Sequence, residues 1–408
     1  MTRDARLLFL ARAVRMFGYG ALGVILVLYL AAAGLDAGSI GLLLTLTLVG
    51  DTLISLYLTT HADAFGRRRT LIVGALLLTA AGLVFAWNTV FIVLLIAATL
   101  GVLSPSGSEV GPFLPIEQAS LTEVTPAERR TNIYAWYNLT GSVATATGAL
   151  VGGVAVGLLR GAGWGELDAY RAILVGYAVV GLALIPIVRS VSSAVEVPPV
   201  DTSIARRLGL HRSQRVVLQL SSLFALDAFG GGLIVQSLLA YWFHSRFGLP
   251  EPVLGAIFFG ANILAAVSAL AAARIAARIG LINTMVFTHL PSNVLLMLVP
   301  LMPTVELAII VLLARFSISQ MDVPTRQSYT MAVVDPDERS AAAGVTGIAR
   351  TTGAALSPLI AAPLFAVPGL ASVPFFLAGG LKIVYDVTLW RLFSKRPPAP
   401  PSEPGSSA

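Results

Sequence analysis

The chain alternates long apolar blocks with short charged stretches, and the length of those blocks sets the first expectation. Many reach the roughly 20 residues that a helix needs to cross a bilayer. On that pattern the 408 residues hold twelve spans, at 7–33, 38–60, 70–87, 90–122, 126–158, 170–189, 214–243, 252–273, 281–302, 304–333, 337–364 and 371–393. The short alternating strands of an outer-membrane barrel are not seen. The first block contains Ala31-Ala32-Ala33, which imitates a leader cleavage site. It is longer than a leader's apolar region and holds Arg12 and Arg15, so it reads as a span. The fourth block is irregular. Pro105, Pro112 and Pro115 should break a helix there, and Glu109 and Glu117 should not sit in hydrocarbon. Two readings fit: backbone unwound beside a watery cavity, or a proline-kinked helix packed on span five.

Composition agrees with the pattern. Hydrophobic residues make up 56% and charged residues only 12%, against about 25% charged in soluble domains. The expected fold class is an all-α integral membrane protein. The net charge of +6 does not point to nucleic acid, because its distribution reports topology. Arginines crowd one set of loops, as at Arg67, Arg68, Arg69, Arg129, Arg130, Arg206, Arg207, Arg274 and Arg278. The opposite loops hold Arg160, Arg171 and Arg246. By the positive-inside rule both termini are expected in the cytoplasm, with the chain in the inner (plasma) membrane. The sequence has no cysteine, which excludes disulfides, thiolate metal sites and cysteine nucleophiles.

A Ser-, Pro- and Arg-rich stretch separates spans six and seven. The expected organisation is a six-helix bundle at 1–190, a cytoplasmic linker at 191–213, a second six-helix bundle at 214–396 and a disordered tail at 397–408. The bundles repeat each other. Shifted by 212 residues, Arg15, Phe17, Gly18, Gly20 and Tyr29 fall on Asp227, Phe229, Gly230, Gly232 and Tyr241. "LPIEQASLTEVTPAERR" likewise matches "VPTRQSYTMAVVDPDERS" with one inserted residue. Within those segments Thr125 with Glu128, and Asp335 with Glu338, have capping-box spacing and predict the starts of helices five and eleven.

The loop between spans two and three, "TTHADAFGRRRTL", resembles the loop signature of the major facilitator superfamily through Asp63, Gly66, Arg67, Arg68 and Arg69. Thr59 replaces its first glycine and Ala64 its first basic residue. The matching loop of the second half, "AARIAARIGLINT", keeps Arg278 and Gly280 but has Ala277 where the acid would be. With the twelve spans and the duplication, the resemblance extends over residues 7–393. It implies two pseudo-symmetric six-helix bundles, a cavity lined by spans one, four, seven and ten, and alternating access for a small-molecule substrate. It also implies that Asp63 meets helix eleven, with Gly66 and Arg67 in a gating loop. A second signature, of proton-driven exporters, is approached in span five by Gly148, Gly152 and Gly153, although Ala149 stands where the signature has proline.

Twelve charged side chains fall at membrane depth: Arg12, Arg15, Asp51, Glu109, Glu117, Asp227, Arg315, Asp322, Arg326, Arg350, Lys382 and Asp386. Each costs roughly 2.5–3.5 kcal/mol at a helix centre, so they should face one another or water. Eight lie on spans one, four, seven and ten. Arg12, Arg15 and Tyr19 share one helix face, as do Arg315, Ser319, Asp322 and Arg326. The candidate cavity residues are therefore Arg15, Tyr19, Asp51, Glu109, Asp227, Arg315, Asp322 and Arg350. Glu117 and Arg326, repeat equivalents near the cytoplasmic end, are expected to form a gate pair. Arg15 is expected opposite Asp227, and Asp51 beside Arg12 or Arg15. Lys382 and Asp386, and Asp322 and Arg326, are i, i+4 pairs that can neutralise each other. Glu109 has no basic neighbour within a turn. It is either a coupling or substrate-binding carboxyl or a partner of Arg315 or Arg350.

These features favour a secondary transporter of a small organic solute, proton-coupled and working as an exporter, with uptake symport the alternative. Glu109, Asp227 and Asp322 are the candidate proton carriers. Lipid, solute and protons are the expected partners, no cofactor or metal is implied, and a monomer is expected. A phosphate-binding loop G-x-x-x-x-G-K-[ST] is missing, which argues against a built-in ATPase. An intramembrane enzyme finds no H-E-x-x-H or G-x-S-x-G, and His289, the one histidine within a span, reads as a helix-packing residue. A non-transporting receptor on the same fold is the remaining class.

Overall fold

The computed structural model describes residues 1–126, 129–196, 212–335 and 338–394. Among the described residues twelve membrane crossings are built from sixteen α-helices. Eight crossings are single helices: α1 (Arg3–Ala32), α2 (Ala37–Phe65), α3 (Arg67–Trp87), α6 (Arg130–Gly161), α7 (Glu166–Arg189), α10 (Glu251–Ile279), α11 (Leu281–Leu298) and α16 (Val373–Phe393). Four are broken: α4 (Phe91–Leu100) with α5 (Phe113–Glu123), α8 (Gln214–Gly232) with α9 (Gln236–Phe247), α12 (Val305–Phe316) with α13 (Asp322–Ala332), and α14 (Arg339–Leu356) with α15 (Pro358–Ala366). Among the described residues ten stretches are long and apolar enough to span a membrane alone. Spans four and ten fall short because each is interrupted, at 101–112 and 317–321.

The duplication is visible in how helices cross. α1 and α6 meet at glycines from both sides: a Cβ on Gly20 would lie 2.0 Å from the Thr145 carbonyl oxygen, and one on Gly148 would lie 1.9 Å from that of Phe17. In the second half α8 and α14 repeat the crossing, with Gly232 against the Ala354 oxygen and Gly353 against that of Ala225. Small residues let backbones approach closely where lipid supplies no hydrophobic drive. The glycines of "ATATGALVGG" are thus filled by neighbouring backbone. The hairpin between α2 and α3 turns at Gly66 (φ 96°) and that between α10 and α11 at Gly280 (φ 85°), a conformation that favours glycine.

The two halves touch toward the end opposite the termini. Gly153 of α6 packs on the backbone of Glu251 and Gly255 of α10, and Gly41 of α2 packs on Pro358 and Leu359 of α15. Arg160 Nη1 and the Tyr170 hydroxyl both donate to Glu251 Oε1, at 3.0 and 2.6 Å. The Leu359 amide donates to Thr45 Oγ1 at 3.0 Å. One or two turns nearer the termini the same helix pairs part: Ser142 and Thr145 face Ala266 and Ala269 across open space, and Asp51 and Thr52 face Gly347 and Arg350. A central cavity therefore lies between the halves, with its closed end formed by the α6–α10 and α2–α15 seams.

At the terminus end each half ties its own segments. Glu196 accepts from the amides of Arg67 (2.7 Å) and Arg68 (3.2 Å), at the start of α3. Arg67 Nη1 donates to the Val195 carbonyl at 3.1 Å, so this residue of the expected gating loop grips the chain after α7. Glu338 accepts from the amides of Arg212 and Ser213, each at 2.8 Å, bridging to the start of α8. Glu128 and the Asp63 side chain, to which a cap and a gating contact were assigned, lie outside the described residues, as do most of the linker and the tail.

Candidate functional site

The interruption in span four is unwound from Gly101 to Pro112, as the first of the two readings anticipates. Backbone freed from a helix inside a bilayer must find partners within the protein, and here side chains provide them. The Tyr177 hydroxyl donates to the Val102 carbonyl at 2.7 Å, Ser104 Oγ to that of Ser108 at 2.6 Å, and the Tyr19 hydroxyl to that of Val110 at 3.1 Å. Asp51 Oδ1 accepts from the Gly111 amide at 2.6 Å, and the Pro105 carbonyl accepts from the Ser237 amide of α9 at 3.2 Å. Tyr19 is fully buried and braces this segment instead of lining the cavity.

The unwound loop swings Glu109 onto α1. Arg15 Nε and Nη2 donate to Glu109 Oε1 at 3.0 and 2.7 Å, and Arg12 Nη1 stands 2.9 Å from Oε2. The same Arg15 donates from Nη1 and Nη2 to the two oxygens of Glu117, at 2.6 and 2.8 Å. The Tyr137 hydroxyl of α6 also donates to Glu117. Aromatic faces complete the clasp, with Arg12 over Tyr137 and Arg15 over Phe113, both 4.4 Å from the ring centre. Three expectations are corrected by this geometry. Glu109 is doubly paired, and with arginines of its own half, not with Arg315 or Arg350. Glu117 is held by Arg15, not Arg326. Arg15 sits behind Glu109 with no exposure, not across from Asp227. The reason is common to all three: the nearest opposite charge lies on the adjoining helix of the same bundle, while the other bundle stands across the cavity.

The second half has its own network. Lys382 Nζ donates to Asp227 Oδ1 at 2.6 Å, and Arg326 Nη1 donates to Asp227 Oδ2 at 3.1 Å and to Asp322 Oδ2 at 2.8 Å. The Asp322–Arg326 pair is thus present. Lys382 and Asp386 do not pair, because Asp227 on α8 takes the lysine. Asp386 instead meets His289 Nδ1 at 2.9 Å and the Asn293 amide at 2.9 Å. His289 packs between helices as expected, but within this polar network, 3.8 Å from Asp227. Asp51 pairs with neither Arg12 nor Arg15; besides Gly111 it accepts from Ser55 Oγ at 3.3 Å.

Two adjoining lobes, of about 530 and 540 Å³, form the cavity. Glu109, Arg315, Gln320, Val323 and Lys382 line both. Asp51, Asp227, Asp322, Arg326 and Arg350 face the first, and Arg12, Gln236 and Asn262 the second. Of the residues singled out in the sequence, Asp51, Glu109, Asp227, Arg315, Asp322, Arg326 and Arg350 come together here. Tyr137, Gln236, Asn262 and Glu251 were not foreseen. Arg160 in an outer loop and Glu251 at a helix start signalled only surface charge, and nothing in the spacing joined them.

The family description "Major Facilitator Superfamily" matches residues 8–358 of the chain. An uncharacterized membrane protein of Saccharomyces cerevisiae is 29% identical, over 96% of this chain and 94% of its own length. Among solved structures, the nucleoside transporter NupG superposes with a TM-score of 0.72 at 12% identity, covering 96% of this chain and 99% of that one. A D-xylose-proton symporter gives 0.72 at 13% identity, covering 95% and 97%. An inward-facing bacterial homologue of the lysosomal transporter Spinster gives 0.68 at 14% identity, covering 95% of both chains.

Proposed function

The chain belongs to the Major Facilitator Superfamily and is a multi-pass membrane transporter, and from that premise we propose a proton-coupled exporter of a small organic solute. The bundles 1–190 and 214–396 rock about the central cavity, exposing it in turn to each side. The conformation described is the one open toward the termini. With both termini in the cytoplasm of the plasma membrane, as the arginine-rich loops favour, this is the inward-open state of a monomer. The Glu251 latch with Arg160 and Tyr170 then closes the outer side.

One observation carries the coupling reading. Asp51 faces the cavity and, among the described residues, has no cation in contact, its bonds being to Gly111 and Ser55. It can exchange a proton without breaking an ion pair. Glu109, Asp227 and Asp322 each sit against one or more arginines or a lysine, and so are weaker candidates. Export rests on the glycine row of span five, which here also serves close packing.

The test begins with the solutes retained by cells that lack the chain compared with cells that make it. The solute that differs is then followed, labelled, in proteoliposomes. Wild type should move it against its gradient when a pH gradient is imposed. Asp51→Asn should lose that concentrating step yet keep solute-for-solute counterflow. Gradient-driven transport undiminished in Asp51→Asn would refute the assignment.

A further inference from the structure

The cavity charges do not balance, and the imbalance has a location. Four cations of the second half face the cavity: Arg315, Arg326, Arg350 and Lys382. Two carboxylates of that half face it, Asp227 and Asp322. Lys382 and Arg326 already occupy these, and Asp386 is turned away to His289. Among the described residues Arg315 and Arg350 have no carboxylate within ion-pair distance. Arg315 is 8% exposed, and the Nε atoms of both arginines are buried without an acceptor. Across the cavity Glu109 is held by Arg12 and Arg15, and Asp51 by the Gly111 amide.

Resting on the transport reading of this cavity, we propose that the solute carries an oxyanion, a carboxylate or a phosphate, held by Arg315 and Arg350. A guanidinium taken out of water needs a counter-charge, and its planar donors fit an oxyanion in two-point fashion. Lys382 faces the same space, and Gln236 lines the lobe that Arg315 and Lys382 share with it. Each lobe has room for a small organic molecule. Arg315 stands on α12 just before the break in span ten, and Arg350 on α14. An anion bound by both would tie two helices of the second half together.

The chain has no cysteine, so a single one can report the local field without knowledge of the solute. Thr351→Cys places a thiol beside Arg350 on the cavity wall, and Ser142→Cys places one on the opposite half. Each is labelled with the anionic sulfonatoethyl and the cationic trimethylammonioethyl methanethiosulfonate, with rates normalised to a free thiol. The anionic reagent should be preferred at Thr351→Cys on the order of tenfold and not at Ser142→Cys. Adding Arg315→Gln and Arg350→Gln should abolish the preference. Paired probes then test binding: benzoate against benzamide, and glycerol 3-phosphate against glycerol. The anionic member of a pair should slow labelling at Thr351→Cys, and the double glutamine variant should remove that protection. Equal or cation-favoured labelling, a preference that survives the double variant, or protection by neutral members alone would overturn the proposal. Labelling needs no flux, so absence of transport in proteoliposomes would refute the transport reading separately.

Discussion

The two halves carry charge clusters of similar composition that are wired differently. In the first, Arg15 grips Glu109 and Glu117 while Arg12 and Tyr137 close the sides. Two arginines meet two glutamates, and the centre of the clasp is fully buried. In the second, Asp227 and Asp322 share Lys382 and Arg326, and Arg315 and Arg350 are left over at the cavity wall. A buried pair that is complete acts as structure, because removing one partner strands the other. A buried cation with no carboxylate beside it costs the fold its desolvation and is available to an anionic ligand. The first cluster holds the unwound span in place, and the second presents charge to the solute.

The largest expected effect comes from opening the clasp. Glu117→Gln weakens the grip of Arg15 and the contact to Tyr137, and should cost about 3–5 kcal/mol of stability, seen as a lowered melting temperature of purified protein. Asp227→Asn should follow. It deprives Lys382 and Arg326 of a shared anion and should lower both the melting temperature and transport, the latter at least about tenfold if Asp227 organises the cavity. Glu251→Gln should act on the conformational balance more than on folding. With the Arg160 contact weakened, the population open away from the termini should rise several-fold, read as a longer spin-label distance between Leu158→Cys and Val253→Cys. An unchanged distance distribution would remove Glu251 from the latch. The smallest effect belongs to Arg171→Gln, which breaks an exposed pair with Asp168 and should change stability by less than about 1 kcal/mol.

Much of the fold was legible because its determinants are local. Block length placed all twelve crossings, and the proline cluster marked the break at 101–112. The repeat shift that aligned Gly20 with Gly232 anticipated the matched crossings of α1 with α6 and α8 with α14. The charge partners were less legible. Arg15 and Glu109 are 94 positions apart and meet because a non-helical loop re-aims the glutamate. Helical periodicity carries no information about that turn. The i, i+4 rule found Asp322–Arg326, where the partners share a helix. It failed at Lys382–Asp386, where Asp227 of α8 and His289 of α11 compete for the two side chains. The pseudo-symmetry suggested pairs across the halves, such as Glu117 with Arg326. An open cavity separates those residues, and each finds a nearer partner at home.

The contrast between the clusters can be measured without knowing the solute. Arg15→Gln and Arg315→Gln remove the same charge from two buried positions, one inside the clasp and one at the cavity wall. Melting curves of the two purified variants beside wild type test the account most directly. It predicts a large fall for Arg15→Gln and a melting temperature for Arg315→Gln that equals or exceeds wild type. Equal falls in both, or a larger fall in Arg315→Gln, would contradict it.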